Sequence, residues 1–177
     1  MTANHPANPS AERVTHWVHE HGRAVRGYLR ALVRHEDEAD DLTQEVFRRA
    51  WTARDAYQEQ GTARSYLLRI ADRLVCDRAR RMHCEVNLDS QTWEIIEPQA
   101  DTGDPLDVIG QTEAQRQLGE ALDRLTPAQR RVLLLRYYGQ MPFAEVAQTM
   151  SCPLNTVLSH CRRGLLTLRK ILAESPL

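Results

Sequence analysis

The 177-residue chain is poor in several residue types, and each shortage narrows what it can be. Aromatic residues make up only 6% of the chain, so any hydrophobic core is small. The four cysteines form no CxxC pair, which argues against a disulfide framework or a zinc ribbon. No apolar run approaches the roughly 20 residues that span a bilayer. With no signal-peptide pattern at its start, the chain is predicted to be cytoplasmic, with reduced thiols and no membrane insertion.

Lysine is nearly absent, and the basic charge is almost entirely arginine. Of the 23 basic residues, only Lys170 is a lysine. Arginine suits bidentate contacts to phosphate and guanine, although a GC-rich genome produces the same bias. The net charge of -1 hides an asymmetry, because residues 1–83 and 126–177 carry +2 and +5 while residues 84–125 carry -8. Basic ends joined by an acidic middle favour a polyanionic partner such as nucleic acid.

No segment alternates like a strand, and the periodicity that is present is helical. Apolar residues at three- and four-residue spacing predict a first helix from Ala11. A second helix starts among the acids Glu38 to Asp41, with an apolar stripe ending at Trp51, and a third follows a cap at Thr62. We therefore expect an all-α protein of two small helical domains. The expected units are a flexible tail at 1–10, a helical domain at 11–83, an acidic linker at 84–111 and a second helical domain at 112–177.

The segment from Leu125 to Arg169 has the pattern of a helix-turn-helix unit with a helix before it. Thr126 stands three residues before Gln129, with proline between them, which predicts a capping box. An apolar stripe that includes Leu165 is expected to face inward, and Gly164 indicates a close approach or a bend. Such a unit lays the start of its last helix in the major groove of DNA. The side chains expected to project outward there are Asn155, Thr156, Leu158, Ser159, Arg162 and Arg163.

Two blocks of the sequence resemble bacterial RNA polymerase sigma factors of the small, extracytoplasmic-function type within the sigma-70 family. The first block is Asp40 to Trp51 followed by Gly61 to Ala71, and the second is Leu125 to Arg169. The resemblance implies a subunit without catalysis or cofactor, which binds core RNA polymerase and directs promoter-specific initiation. It also implies two further partners, promoter DNA and an anti-sigma factor that holds many members of the family inactive.

The resemblance assigns roles to individual residues. Docking on core polymerase falls on the polar face of the second helix, at Asp40, Asp41, Gln44, Glu45 and Arg48. Recognition and melting of the -10 element fall on the third helix, at Arg64, Arg69, Arg73 and Arg80. Recognition of the -35 element falls on the outward residues of the helix-turn-helix.

The residue patterns alone are compatible with these roles, but they are equally compatible with a different interpretation. An acidic face can pair with arginines of a partner, and arginines four and seven residues apart can follow phosphates. Both patterns also fit a solvated helix surface, and Asp72 and Asp77 are expected to offset part of the arginine charge. Tyr57 and Tyr66 could stack on bases, although a core position is favoured for Tyr66.

Two residues depart from the family pattern. Leu158 stands where lysine or arginine is usual, and His160 stands where arginine is usual. The last helix is therefore weak in cations and is expected to bind DNA poorly alone. Leu158 could touch a thymine methyl group or pack on polymerase.

Two other classes of function are open to this sequence. One is a stand-alone, dimeric helix-turn-helix transcriptional regulator. The other is a metal- or thiol-based sensor or enzyme that uses residues such as His83 and Cys84. Because no cysteine or histidine pair has structural zinc spacing, the sequence predicts no metal site.

Overall fold

The computed structural model describes residues 9–33, 35–58, 61–86 and 113–174. Every regular element within these ranges is helical, which confirms the all-α prediction. The elements are α1 (Pro9–Arg30), α2 (Glu36–Thr52), α3 (Ala63–Val86), α4 (Glu113–Asp123), α5 (Pro127–Leu133), a π-helical segment (Leu134–Tyr138), α6 (Phe143–Met150) and α7 (Leu154–Glu174). Most of the predicted tail at 1–10 and of the predicted linker at 84–111 lies outside the described residues.

Helices α1 to α3 pack on one another and form what we call the N-terminal half. Helix α1 begins at Pro9, two residues before the predicted start, and proline is well tolerated in a first turn. Helix α2 begins at Glu36, where three acids in the first turn interact favourably with the helix dipole. The predicted cap of α3 is present, because the Thr62 hydroxyl accepts a hydrogen bond from the Ser65 backbone N–H at 3.1 Å.

Helices α4 to α7 and the π-helical segment form the C-terminal half. The predicted capping box at the start of α5 is confirmed. The Thr126 hydroxyl accepts from the Gln129 N–H at 3.4 Å, and the Gln129 side chain accepts from the Thr126 N–H at 3.3 Å. The π-helical segment was not predicted, and it ends where the N–H of Gly139 bonds the carbonyl of Leu134 at 2.7 Å.

The packing of α7 differs from the predicted stripe at one position. Leu165 is 42% exposed, so the prediction that it faces inward is wrong. Its neighbour Gly164 is buried instead, and a β-carbon there would lie 3.1 Å from Leu133 Cδ1. Of the two interpretations of this glycine, the close approach is the one observed. It brings α7 against α5 and turns Leu165 to the surface.

The two halves share one continuous cluster of buried apolar side chains. We call the boundary between the two halves the seam. There, a β-carbon on Gly139 would lie 3.0 Å from Leu68 Cδ1, and one on Gly27 would lie 2.5 Å from the Tyr138 hydroxyl. Two glycines on opposite sides of the seam thus permit backbones and side chains to approach closely. The sequence predicted two domains but did not predict that they pack together.

The capping box offers a test of the local structure. Thr126→Ala removes the side-chain acceptor and should lower the free energy of unfolding by about 0.5–2 kcal/mol in a urea titration followed by circular dichroism. Thr126→Ser, which keeps the hydroxyl, should lose much less. Equal losses for the two variants would contradict a capping role for the hydroxyl.

Candidate nucleic-acid and partner interface

One face of α2 remains open to solvent along its length. The helix turns Ala39, Leu42, Val46 and Ala50 into the core. The exposed residues of α2 include Asp37, Asp41, Gln44, Arg48 and Trp51, and we call these five the α2 face. Trp51 is 44% exposed, with the Arg54 guanidinium 4.8 Å above its ring, so its predicted place in the apolar stripe is wrong.

The charged residues predicted to dock on polymerase differ in how they are paired. Asp40 accepts hydrogen bonds from Arg26, one of them at 3.1 Å, which lowers the pKa of the Asp40 carboxyl. Glu45 accepts from Arg48 at 2.6 Å and from Arg49 at 2.8 Å, and these bonds lower its pKa to about 2.

Asp41 and Gln44 have no such arrangement. Both are exposed, and neither makes a side-chain hydrogen bond or ion pair within the described part of the chain. Their polar groups therefore face solvent on the α2 face, between the paired residues.

A cavity of about 370 Å³ opens where α2 ends and α3 packs against it. Its lining residues are Ala53, Ala56, Tyr57, Gln58, Tyr66, Arg69, Ile70 and Arg73. The rings of Tyr57 and Tyr66 have centroids 4.6 Å apart, and buried Trp17 packs edge-on against Tyr57 at 4.8 Å. Tyr66 thus packs against the core, as favoured from the sequence, and burial raises its pKa.

Aromatic walls and arginines in one cavity are chemically suited to a nucleotide. Aromatic side chains suit the face of a base, and guanidinium groups suit a phosphate. We call this cavity the arginine pocket.

The four arginines predicted to contact the -10 element are in three different settings. Arg69 and Arg73 line the arginine pocket. Arg80 is exposed further along α3 and pairs with Asp77 at 3.2 Å. Arg64 instead donates a hydrogen bond to the backbone carbonyl of Tyr138 at 2.5 Å, and its guanidinium lies 5.0 Å from that ring.

Arg69 also meets the C-terminal half. Its guanidinium lies 3.7 Å from the carboxylate of Glu145, a residue of α6 that is largely buried. Two of the four arginines predicted to contact DNA therefore contact the C-terminal half, Arg64 at the π-helical segment and Arg69 at α6.

The start of α7 presents most of the predicted -35 residues to solvent. Asn155 and Arg162 are exposed, and Leu158 is 41% exposed, which places it outward as predicted. Thr156 and Ser159 are half-buried. Arg163 is exposed, but it donates to the Ser159 hydroxyl at 3.1 Å.

An apolar groove lies beside Leu158. It has a volume of about 490 Å³ and is lined by Tyr137, Phe143, Leu158, Cys161, Arg162, Leu165, Leu166 and Arg169. The outward face of α7 is thus mixed in character, with apolar side chains among the arginines.

Sequence reasoning missed the most buried charged side chain among the described residues, which is that of Asp72. Asp72 is 1% exposed, so it lies in the core and not among the surface arginines whose charge it was expected to offset. Its carboxylate accepts hydrogen bonds from the Tyr28 hydroxyl at 2.8 Å and from two guanidinium nitrogens of Arg131 at 2.8 and 2.7 Å. The spacing carried a signal, because Asp72 lies four residues after inward Leu68 and three before Val75.

The three groups of this cluster polarise one another. Burial raises the pKa of Tyr28 well above its usual value, and the adjacent Asp72 carboxylate raises it further. Burial disfavours the charge of Arg131, but its hydrogen bonds and attraction to Asp72 outweigh burial and raise its pKa. Arg131 therefore remains charged, and the cluster holds an ion pair.

Two further kinds of site are lacking in the described parts of the chain. No three His, Cys, Asp or Glu side chains there could together hold a metal ion. No helix there is long and apolar enough to cross a membrane. The side chains of His83 and Cys84 lie outside the described structure.

Comparison with known families identifies both halves. The family model of Sigma-70 region 2 matches residues 17–83, and the model of Sigma-70, region 4 matches residues 115–168. An ECF RNA polymerase sigma factor SigK from Mycolicibacterium vanbaalenii is 32% identical over 151 residues, which are 84% of this chain and 76% of the relative. SigK from Mycobacterium ulcerans is 29% identical over 160 residues, covering 85% of this chain and 81% of the relative.

Solved structures show the same fold. Sigma factor RpoE, solved with the anti-sigma factor NepR from Bartonella quintana, matches with a TM-score of 0.70 and 19% identity. The match covers 93% of this chain and 99% of RpoE. CnrH, solved with the cytosolic domain of CnrY, matches with a TM-score of 0.62 and 22% identity, covering 96% of this chain and 92% of CnrH.

The pairing of Glu45 leads to a prediction about its titration. Replacing Arg48 and Arg49 by glutamine should raise the pKa of Glu45 from about 2 toward 4.5, measured by NMR of its side-chain carboxyl. Since the folded pKa is the lower one, the stabilisation from these pairs is present above pH 4.5 and is lost as the pH falls toward 2. Arg26→Gln is the matched control, because it should raise the pKa of Asp40 and leave that of Glu45 unchanged. A Glu45 pKa that stays near 2 in the double variant would refute the pairing.

Proposed function

The chain belongs to the sigma-70 family of RNA polymerase sigma factors, in its extracytoplasmic-function group, and we propose that it binds core RNA polymerase and directs it to promoters with a -10 and a -35 element. The observation that carries this proposal is that the two matched regions present three separate surfaces: the α2 face, the arginine pocket and the first turn of α7. In this role the chain has no catalysis of its own, and it acts in the cytoplasm where polymerase is.

The α2 face is proposed to dock on core polymerase. Asp41 and Gln44 are exposed and available for a basic partner helix. Asp40 and Glu45 already have arginine partners, so a docking surface would meet them as paired groups. Such exposed pairs are weak, which allows their partners to be exchanged on binding.

The arginine pocket is proposed to receive a base from the -10 element. Taking a base out of the stack costs a few kcal/mol, and a wall of aromatic side chains repays part of this cost. Tyr57 and Tyr66 supply that wall, and Arg69 and Arg73 are placed for the flanking phosphates. Arg80 extends the basic track along α3.

Helix α7 is proposed to read the -35 element. Asn155 in its first turn can form the two hydrogen bonds that identify adenine, and Leu158 can contact a thymine methyl group. Thr156 and Ser159 are placed for phosphate or base contacts, and Arg162 and Arg163 for phosphates. With few cations, this helix depends on polymerase to hold it against DNA.

The limits of the two units and their regulation are also proposals. We assign residues 11–83 to the polymerase-docking and -10 unit, 84–111 to the linker and 112–177 to the -35 unit, after a tail at 1–10. An anti-sigma factor is proposed as a regulator. Support comes from the two similar sigma factors, each of which was solved with a protein partner.

Reconstitution tests the proposed function. Purified core polymerase plus this protein should produce specific run-off transcripts that core polymerase alone does not, and Asp41→Arg should abolish stable binding to core because it reverses a charge on the α2 face. Glu12→Arg is the matched control, since it reverses an exposed charge on α1 and should leave core binding intact. Tight binding to duplex DNA as a dimer, with no effect on core polymerase, would instead support a stand-alone regulator.

Two variants of α7 separate base reading from phosphate binding. Asn155→Ala should cost about 1–3 kcal/mol on the preferred -35 sequence and relax the preference at one base pair. Arg162→Ala should weaken binding about equally on all sequences and reduce the salt slope by about 1. Both are measured on polymerase holoenzyme with a panel of -35 sequences at several salt concentrations. A sequence preference unchanged by Asn155→Ala would remove this residue from base recognition.

A further inference from the structure

We propose that Arg13 of α1 is a positioning residue for the arginine pocket, and that its guanidinium holds the aromatic wall of the pocket in place before DNA binds. The inference rests on the proposed function for the role of the pocket, which is to receive a base of the -10 element. The contacts of Arg13 are a property of the free chain, so they can be tested without DNA.

Half of the pocket's lining comes from the short segment that follows α2, residues 53–58, which we call the connecting segment. Its lining residues are Ala53, Ala56, Tyr57 and Gln58. Backbone bonds at the start of this segment are local, since Ala53 donates to Arg49 at 3.0 Å and Ala56 donates to Ala53 at 3.1 Å. Such bonds hold a turn together, but they do not fix where the turn lies against the other helices.

Arg13 supplies a connection of longer range. Its guanidinium donates a hydrogen bond to the backbone carbonyl of Arg54 at 2.7 Å, across 41 positions of the sequence. The same group lies 5.1 Å from the centre of the Tyr57 ring and 5.5 Å from the centre of the Trp17 ring. One side chain therefore contacts both the backbone of the connecting segment and a ring that forms the pocket wall.

The ring of Tyr57 is held on two sides. Trp17 of α1 is 5% exposed and packs edge-on against it, and Tyr66 of α3 contacts it at a centroid distance of 4.6 Å. Because Arg13 and Trp17 lie four residues apart on α1, they share one face of that helix. A shift of the connecting segment would therefore break contacts with α1 and α3 together.

These contacts suit arginine and not lysine. A guanidinium is planar, so it can lie over an aromatic ring and still donate a directed hydrogen bond, whereas an ammonium is a compact point charge. The Nε of Arg13 is buried without a hydrogen-bond partner in the described part of the chain. Since burial of such a donor is unfavourable by itself, the ring contacts and the bond to Arg54 must offset it.

A wall that is already in place favours the capture of a base. Removing a base from the stack is unfavourable, and stacking on an aromatic side chain recovers part of that free energy. If the connecting segment became ordered only on binding, the entropy lost in ordering it would offset the stacking. The contacts of Arg13 complete this ordering when the chain folds, so more of the stacking free energy stabilises the bound base.

Hydrogen exchange tests these contacts in the free, full-length protein. Arg13→Gln should speed exchange of the Ala56 backbone N–H by about tenfold, because the connecting segment loses its bond to α1. Arg23→Gln is the matched control, since it removes an exposed arginine from the same helix, and it should leave exchange at Ala56 unchanged. An Arg13→Gln variant that is folded by circular dichroism and exchanges like wild type at Ala56 would overturn the proposal.

Holoenzyme formed with core polymerase tests the effect on the -10 element. Binding is measured to single-stranded DNA that carries the preferred -10 sequence, found from a panel of single-base variants. Arg13→Gln should weaken this binding by about tenfold and reduce the discrimination against exchanged bases. Arg13→Lys keeps the charge without the planar group and should restore neither property. Full recovery with Arg13→Lys would overturn the proposal, because charge alone would then be sufficient.

A double-mutant cycle shows whether Arg13 acts through Tyr57. In a Tyr57→Ala background the wall is already absent, so adding Arg13→Gln should weaken binding by about twofold or less. Equal losses with and without Tyr57 would assign Arg13 to a direct DNA contact and refute a positioning role. If exchange at Ala56 responds as expected but wild-type holoenzyme has no preference among -10 sequences, the proposed function of the pocket fails and the contacts of Arg13 stand.

Discussion

A single buried carboxylate constrains much of this molecule. An isolated aspartate in a core costs several kcal/mol, so Asp72 needs donors from every helix that covers it. Tyr28 supplies one donor from α1, and Arg131 supplies two from α5. Placing Arg131 there sets the position of α5, and with it the π-helical segment that follows directly. Together with the shared apolar cluster and the close approaches at Gly27 and Gly139, this requirement fixes how the C-terminal half lies against the N-terminal half.

Local signals were sufficient to predict most helices from the sequence. The cap at Thr62 and the capping box at Thr126 depend on residues three positions apart, and both are present as expected. The exposure of Leu158 was also predictable, because helical spacing places it about 100° around α7 from the buried Val157. Such features depend on neighbours in the chain, which is the information that periodicity contains.

The incorrect predictions from the sequence share a different cause, which is packing between residues that are distant in the chain. Trp51 and Leu165 are exposed because of how helices stack, and Asp72 is buried because a distant arginine reaches it. Helical spacing locates a face without showing what will cover it. The same limit applies to the candidate site. Sequence reasoning grouped Arg64 with the other arginines of α3, whereas the structure gives it a partner 74 positions away.

The ion pair between Asp72 and Arg131 also has a consequence for how such a protein can evolve. A substitution of either residue alone would leave the other charge buried without its partner. Substitutions at the two positions should therefore arise together. Asn155 and Arg162 lie outside the seam and carry no such restriction. The residues proposed to read the -35 element can therefore diverge between descendants while the contact between the halves is inherited unchanged. Exchanging whole halves between distant relatives would separate co-adapted partners, even where each half folds well.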